Sequence, residues 1–328
     1  MTRSRIAQRS ARIFRHLLIA LPLTGALAFG AYHAIRNLHW HDSLISMLAG
    51  NHADKALWNQ SAWRSHARWL PGYRLASVRA IPEIESNLSG LSLADDRNLL
   101  LGVINRPAAI VALSLDGGYS HSYPLHGISD AEGIAYLGQG RVAVSSEKQG
   151  DILLLRLPDQ PGPIDLQGAP SLRLIPPEDD NSGLEGLGYD SVRDQLYAVK
   201  EQSPRALFRI DNLCPSASAD CSTEHAVVHD LSRWLDSAQF ARDLSSVEFD
   251  TEKGHLLVLS EQSQTLLEFD SQGIPVSTQR IGARSGDPLM PQAEGLALGA
   301  DGTIYLASEP NLLYRFVPEI ASRTVRPD

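Results

Sequence analysis

From residue 88 onward, apolar and polar positions alternate in short runs broken by turn residues. The stretch "AEGIAYLGQGRVAVSSE" from Ala131 shows the unit: a small opening, an alternating apolar run, a Gly-rich turn and a second apolar run. Period-two alternation bounded by Gly, Asp and Asn is the mark of paired strands. The same layout recurs in "LSGLSLADDRNLLLGVIN" from Leu88, "LEGLGYDSVRDQLYAVKE" from Leu184, "LSSVEFDTEKGHLLVLSE" from Leu244 and "AEGLALGADGTIYLASE" from Ala293. A third apolar stretch comes after each: "AIVAL" at 109–113, "DILLL" at 151–155, "ALFRI" at 206–210, "TLLEF" at 265–269 and "LLYRF" at 312–316.

The aligned second positions are Gly90, Gly133, Gly186, Ser246 and Gly295, which stand 43, 53, 60 and 49 residues apart. Units of about 40–50 residues with three or four strands predict an all-β fold, a five-bladed β-propeller. A six-bladed ring stays open, because the step from Gly186 to Ser246 could hold a degenerate blade. Too little chain remains after the fifth unit for four strands. The segment "YRLASVRAIPE" at 73–83 is placed to supply the missing outer strand, which would close the ring and leave no free sheet edge there.

Carboxylates mark the ends of these hairpins. Glu132 and Glu147 are equidistant from the turn at Gln139–Gly140, Glu185 and Glu201 from Arg193, and Glu294 and Glu309 from Asp301–Gly302. Ser245 and Glu261 are symmetric about Lys253, and Ser89 and Asn105 about Arg97. Antiparallel pairing predicts that the two members of each pair face one another at the open end of their hairpin. First strands line a propeller's channel, so Glu132, Glu185 and Glu294 should converge around the axis, with Glu147, Glu201, Glu261 and Glu309 one strand outward. Asp130 and Asp243 lie nearby, and Lys148, Lys200 and Arg205 adjoin the motif. Massed like charge is unfavourable without a compensating cation. Calcium, which takes six to eight oxygens at flexible geometry, suits such a ring, and Asn105, Lys200, Arg205 and Asp243 are the candidate ligand contacts beside it. The competing reading gives each glutamate a capping role at a strand entrance.

The N-terminus departs from this pattern. Arg3, Arg5, Arg9, Arg12 and Arg15 precede "LLIALPLTGALAFGAYHA" from Leu17 to Ala34, with no acid among the first sixteen residues. Basic residues ahead of an apolar run predict a membrane anchor or a signal peptide, with export of the rest of the chain. The expected organisation is a basic tail and anchor at 1–36, a linker with short helices at 37–72, the propeller at 73–318 and a tail at 319–328. Trp40, Trp58, Trp63 and Trp69 in the linker could meet a membrane surface or cap the propeller. An oxidising compartment would pair Cys214 with Cys221 inside the insertion "NLCPSASADCSTE". The net charge of −9 argues against nucleic acid as a partner.

The stretches "NLSGLSLADDRNLLLGVIN", "DAEGIAYLGQGRVAVSSEKQGDI", "GLEGLGYDSVRDQLYAVKEQSP" and "SSVEFDTEKGHLLVLSEQSQTLLEFD" resemble the SdiA-regulated (YjiK-like) family of bacterial envelope proteins, over about residues 73–318. The resemblance implies a β-propeller tied to the inner membrane, facing the periplasm, with bound calcium, and it implies no activity. Two functions compete: an anchored module that binds a small ligand or an envelope protein through its acidic mouth, and a calcium-dependent hydrolase of phosphoesterase or lactonase type. No G-x-S-x-G elbow is present, and His126, His225, His229 and His255 are the candidate bases.

Overall fold

The computed structural model describes residues 56–177, 183–202, 204–214, 220–281 and 290–319. The anchor at 1–36, the start of the linker with Trp40, and the tail from residue 320 lie outside these. Among the described residues no helix is long and apolar enough to cross a membrane.

Strand β1 (Tyr73–Ala80) comes first in the chain but belongs to the last blade. Blade 1 holds β2 (Leu88–Ala94), β3 (Leu99–Asn105), β4 (Ala108–Leu113) and β5 (Tyr119–His126). Blade 2 holds β6 (Ala131–Tyr136), β7 (Arg141–Ser146) and β8 (Asp151–Arg156). The short β9 (Ile164–Asp165) then adds to the edge of β5, and β10 (Ser171–Arg173) completes blade 2. Blade 3 is β11 (Leu184–Asp190), β12 (Gln195–Lys200), β13 (Ala206–Asp211) and β14 (Val227–Asp230). Blade 4 is β15 (Ser246–Asp250), β16 (His255–Ser260), β17 (Thr265–Phe269) and β18 (Pro275–Arg280). Blade 5 is β19 (Ala293–Leu298), β20 (Ile304–Ser308) and β21 (Leu312–Pro318), with β1 paired antiparallel to β21. The ring has five blades and closes through β1 as the sequence predicts. Among the described residues the long third step holds no extra blade: its surplus is a 3-10 turn at Ser232–Ser237 and the Cys214–Cys221 loop.

Five apolar cores hold the ring, one in each seam between neighbouring blades. Each sheet is therefore apolar on both faces, which is why the inner strands show near-continuous burial. The inner strands β2, β6, β11, β15 and β19 touch in cyclic order. Their approach explains the glycine of the repeated Glu-Gly pair. A Cβ on Gly133 would lie 2.2 Å from the Glu185 carbonyl oxygen, and one on Gly186 would lie 2.3 Å from Ser246 Cα. The glycine serves the seam between blades, so the glutamate needs a separate explanation.

The hairpin register corrects one expectation. Ala131 pairs with Ser146, but Ile134 pairs with Val144, so Glu132 and Gly133 together oppose one residue of β7. Equivalent bulges fall at Glu185–Gly186, at Glu294 and at Ser89–Gly90. The extra residue shifts the pairing, and Glu147 N donates to Asp130 O (2.9 Å), Glu201 N to Gly183 O (3.0 Å) and Glu309 N to Gln292 O (2.9 Å). The two glutamates of a hairpin are thus offset rather than directly opposite. A bulge redirects its side chain, which here turns the inner glutamate toward the axis.

Residues 56–72 form a strap on blades 4 and 5. Trp58 is buried with its ring edge-on to Phe240 and Phe269, and its Nε1 donates to Ser237 O (3.0 Å). Asn59 bonds Val276 O and both backbone groups of Thr278, covering the free edge of β18. Trp63 meets His255 edge-on, and Trp69 lies under the Arg64 guanidinium. These three tryptophans cap the propeller. Cys214 and Cys221 form a disulfide, with Cα atoms 4.4 Å apart.

Candidate functional site

The bulged inner strands and the ends of the second strands bring the predicted carboxylates together at the open-hairpin end of the channel. Glu185 feels Glu132, Glu201, Glu147 and Glu294; Glu294 feels Glu309, Glu132 and Glu261; Glu201 feels Asp243 and Glu147. All seven predicted glutamates therefore belong to one electrostatic cluster. Burial is the main cause of their raised pKa values and mutual repulsion adds to it. The carboxyl of Glu147 is pushed up to about 7, those of Glu201 and Glu261 to about 8, and those of Glu185 and Glu294 well above the usual range. Glu132 and Glu309 are raised as well, chiefly by burial.

One part of the cluster has the spacing of a metal site. Single carboxylate oxygens of Glu147, Glu185 and Glu201 all lie within 4.8 Å of one another. Oxygens that share a calcium ion at about 2.3–2.6 Å can be separated by at most about 5 Å, so the three fit a common ion. Glu147 Oε1 and Glu201 Oε2 are buried and receive no hydrogen bond, and Glu147 as a whole is 1% exposed. Buried oxygens without donors are unfavourable unless a cation meets them.

The candidate ligand contacts divide. Asn105 is in the cluster, donating from Nδ2 to Glu132 Oε1 at 2.6 Å. Lys200 Nζ donates to Gln202 O (2.6 Å). Arg205 is bound to the carbonyls of Ala238 (3.0 Å) and Ala241, so it braces a loop. Asp243 accepts from Ser260 Oγ and from the amides of Glu261 and Gln262 (both 3.1 Å), and caps the turn after β16. For Arg205 and Asp243 the structure shows a scaffold role where a ligand contact was expected. Asp130 is held by two cations, Arg106 (2.6 Å) and Lys148 (2.9 Å), at the rim.

One participant, Arg106, was not expected from the sequence. Arg106 comes directly after the aligned Asn105, and that adjacency was the available signal. Ser89, the sequence partner of Asn105, is buried, and its hydroxyl works against the rise of the Glu132 and Glu294 pKa values. Glu248, further along β15, is pushed up to about 8 by burial, and the charge it feels is that of Asp250 and not of the cluster. Two of the candidate bases are remote from the mouth: His255 Nδ1 bonds Glu268 at the closed-hairpin end (2.8 Å), and His229 pairs with Asp211 toward the outer edge of blade 3 (3.0 Å).

Comparison with known proteins adds two solved structures of low similarity. A chain of a nidogen/laminin complex is 12% identical, with a TM-score of 0.43, over 68% of this chain and 73% of that one. A luciferin-regenerating enzyme is 14% identical, with a TM-score of 0.46, over 74% of this chain and 95% of that one. The sequence pattern of one family runs through the strap's end and all five blades, from residue 65 to residue 317, and by that match the chain belongs to the SdiA-regulated family.

Proposed function

We propose that the protein is a binding module: a propeller, carried on an N-terminal membrane anchor and facing the periplasm, that holds a divalent cation, calcium by preference, in its acidic mouth and binds a ligand there. The observation that carries this reading is the group Glu147, Glu185 and Glu201, whose oxygens have metal-site spacing while two of them lack any donor. Glu147, Glu185 and Glu201 would hold the ion, and its chemistry would be charge neutralisation and a bridge between blades 2 and 3. The anchor rests on the arginines before the apolar run at 17–34. No hydrolytic step is proposed, because His229 and His255 are engaged elsewhere and Arg205 is committed to its loop.

Calorimetric titration of the purified chain with calcium tests the metal. One ion should bind, magnesium should bind more weakly because it demands tight octahedral geometry, and Glu185→Gln should abolish the heat. Absence of calcium binding by the wild type overturns the reading. A periplasm-active reporter fused after Asp328 tests the orientation, and an inactive fusion overturns the export.

A further inference from the structure

The seven carboxylates do not form one uniform ring. Glu147, Glu185 and Glu201 meet the spacing of a metal site. Glu132, Glu294 and Glu309 interact through charge, yet as a group their oxygens do not meet that spacing. A metal ion draws its oxygens to about 2.3–2.6 Å, whereas an N–H···O contact is about 2.7–3.2 Å, so acceptors around a tetrahedral ammonium nitrogen stand up to about 5.2 Å apart, wider than adjacent ligands of a metal ion. The wider half is better matched to a larger cation that carries its own hydrogens.

Two observations beyond the acidity point the same way. Asn105 Oδ1 is buried and accepts nothing, and its orientation is fixed because Nδ2 is spent on Glu132 Oε1 at 2.6 Å. Turning the amide over would face two oxygens together. The Glu185 carboxylate, 8% exposed and within charge range of both Glu132 and Glu294, receives no hydrogen bond from any described residue. What is lacking is a donor, and a primary ammonium has three donors and no acceptor. A quaternary ammonium is a poor match, since such groups are held by aromatic faces and none of the side chains named at this site is aromatic.

We infer that Glu132, Glu294, Glu309 and Asn105 bind the primary ammonium group of an organic ligand, beside the cation held by Glu147, Glu185 and Glu201. This deepens the proposed function and rests on it only for the occupant of the first half. The ammonium could belong to a free amine or to a lysine side chain.

Calorimetry on the full chain separates the two sites. Calcium is titrated first and alone; 1,4-diaminobutane, N-acetyl-lysine amide and tetramethylammonium are then titrated into the calcium-loaded protein. One diamine or lysine amide should bind without displacing calcium, and the better of the two identifies the source. Glu294→Gln and Asn105→Ala should each weaken the amine by at least about tenfold while changing calcium affinity far less, since each removes an acceptor of a charged donor. Melting curves check that each variant is folded, and Asn105→Ala decides if Glu294→Gln is not. No amine binding, equal binding of tetramethylammonium, or one-for-one competition with calcium overturns the inference. Amine binding that depends on Glu294 in a protein that ignores calcium supports the inference and overturns the metal reading, so the two fail separately.

Discussion

Both ends of the channel are rich in acids, and they treat them in opposite ways. At the closed-hairpin end Asp190, Asp250 and Glu268 all have donors. Asp190 accepts from the amides of Val192 (2.9 Å) and Arg193 (3.3 Å) and from the Arg193 guanidinium (2.8 Å). Asp250 accepts from Glu252 N and Lys253 N and pairs with Arg68. Glu268, fully buried, accepts from His255, from Ser277 Oγ and from the backbone amides of Arg68 and Trp69. At the open-hairpin end Glu147 and Glu201 each keep a buried oxygen with no donor, and the pKa values of Glu147, Glu185 and Glu201 are raised. A buried carboxylate with a full set of donors holds the fold together; one without them lowers stability and waits for a cation. The difference lies in the donors offered by neighbouring chain, since the residue types are the same.

The sharpest way to break this comparison is to change Glu268. Glu268→Ala leaves four donors unpaired, two of them buried side chains, and detaches the strap, so the chain should lose about 3–5 kcal/mol in denaturant unfolding. A loss no larger than that of an exposed glutamate would mean that the closed-hairpin acids are ornamental to stability.

The pH dependence of the metal-free protein comes next. Glu147, Glu201 and Glu261 hold their protons to about 7, 8 and 8 in the folded chain. An unfolded glutamate releases its proton near pH 4.3, so between about pH 4.5 and 8 the folded state binds more protons than the unfolded state, and stability falls as pH rises. Discounted for water in the mouth, the fall should be on the order of 3 kcal/mol, and saturating calcium should flatten it. A metal-free protein more stable at pH 8 than at pH 5 would contradict the assignment of the mouth as the strained end.

Calcium itself should stabilise by about 2.7 kcal/mol at 100 times its dissociation constant. Glu185→Gln should remove that gain while raising the melting temperature of the metal-free chain at alkaline pH, where the carboxyl is ionised and a repelling charge is gone. A glutamate that merely capped its strand would show the reverse, with no calcium response and a lower melting temperature.

The smallest effect belongs to the disulfide. Cys214 donates its amide to Asp194 (2.9 Å), in the same satisfied manner as the other closed-hairpin acids, and the bridge closes a loop of seven positions. Its reduction should cost less than about 2 kcal/mol and leave calcium binding unchanged. A change in calcium affinity on reduction would show that the periphery of blade 3 reaches the mouth.

The blades, their order and the convergence of the glutamates were legible in the chain, because a period-two pattern repeated five times allows few folds, and equal spacing about each turn carries equivalent residues to the same end of every hairpin. Even closure by residues 73–80 could be read, since the last repeat is one strand short. The offset of Glu132 from Glu147 could not: a bulge adds one residue to one strand and leaves the alternation on either side intact. Nor could the separate fates of Arg205 and Lys148. Both adjoin the motif, but one is drawn to the carbonyls of Ala238 and Ala241 and the other to Asp130, as decided by loops distant in sequence. The strap obeys the same rule, because Trp58 and Arg68 have no local pattern and gain their roles from Phe269 and Asp250 about 200 positions away. The chain by itself determined which residues arrive at each end of the channel, through periodicity. Only the tertiary structure decided which of those acids find donors and which are left without them, because hydrogen bonds depend on neighbours that the fold, and not the local sequence, brings within about 3 Å.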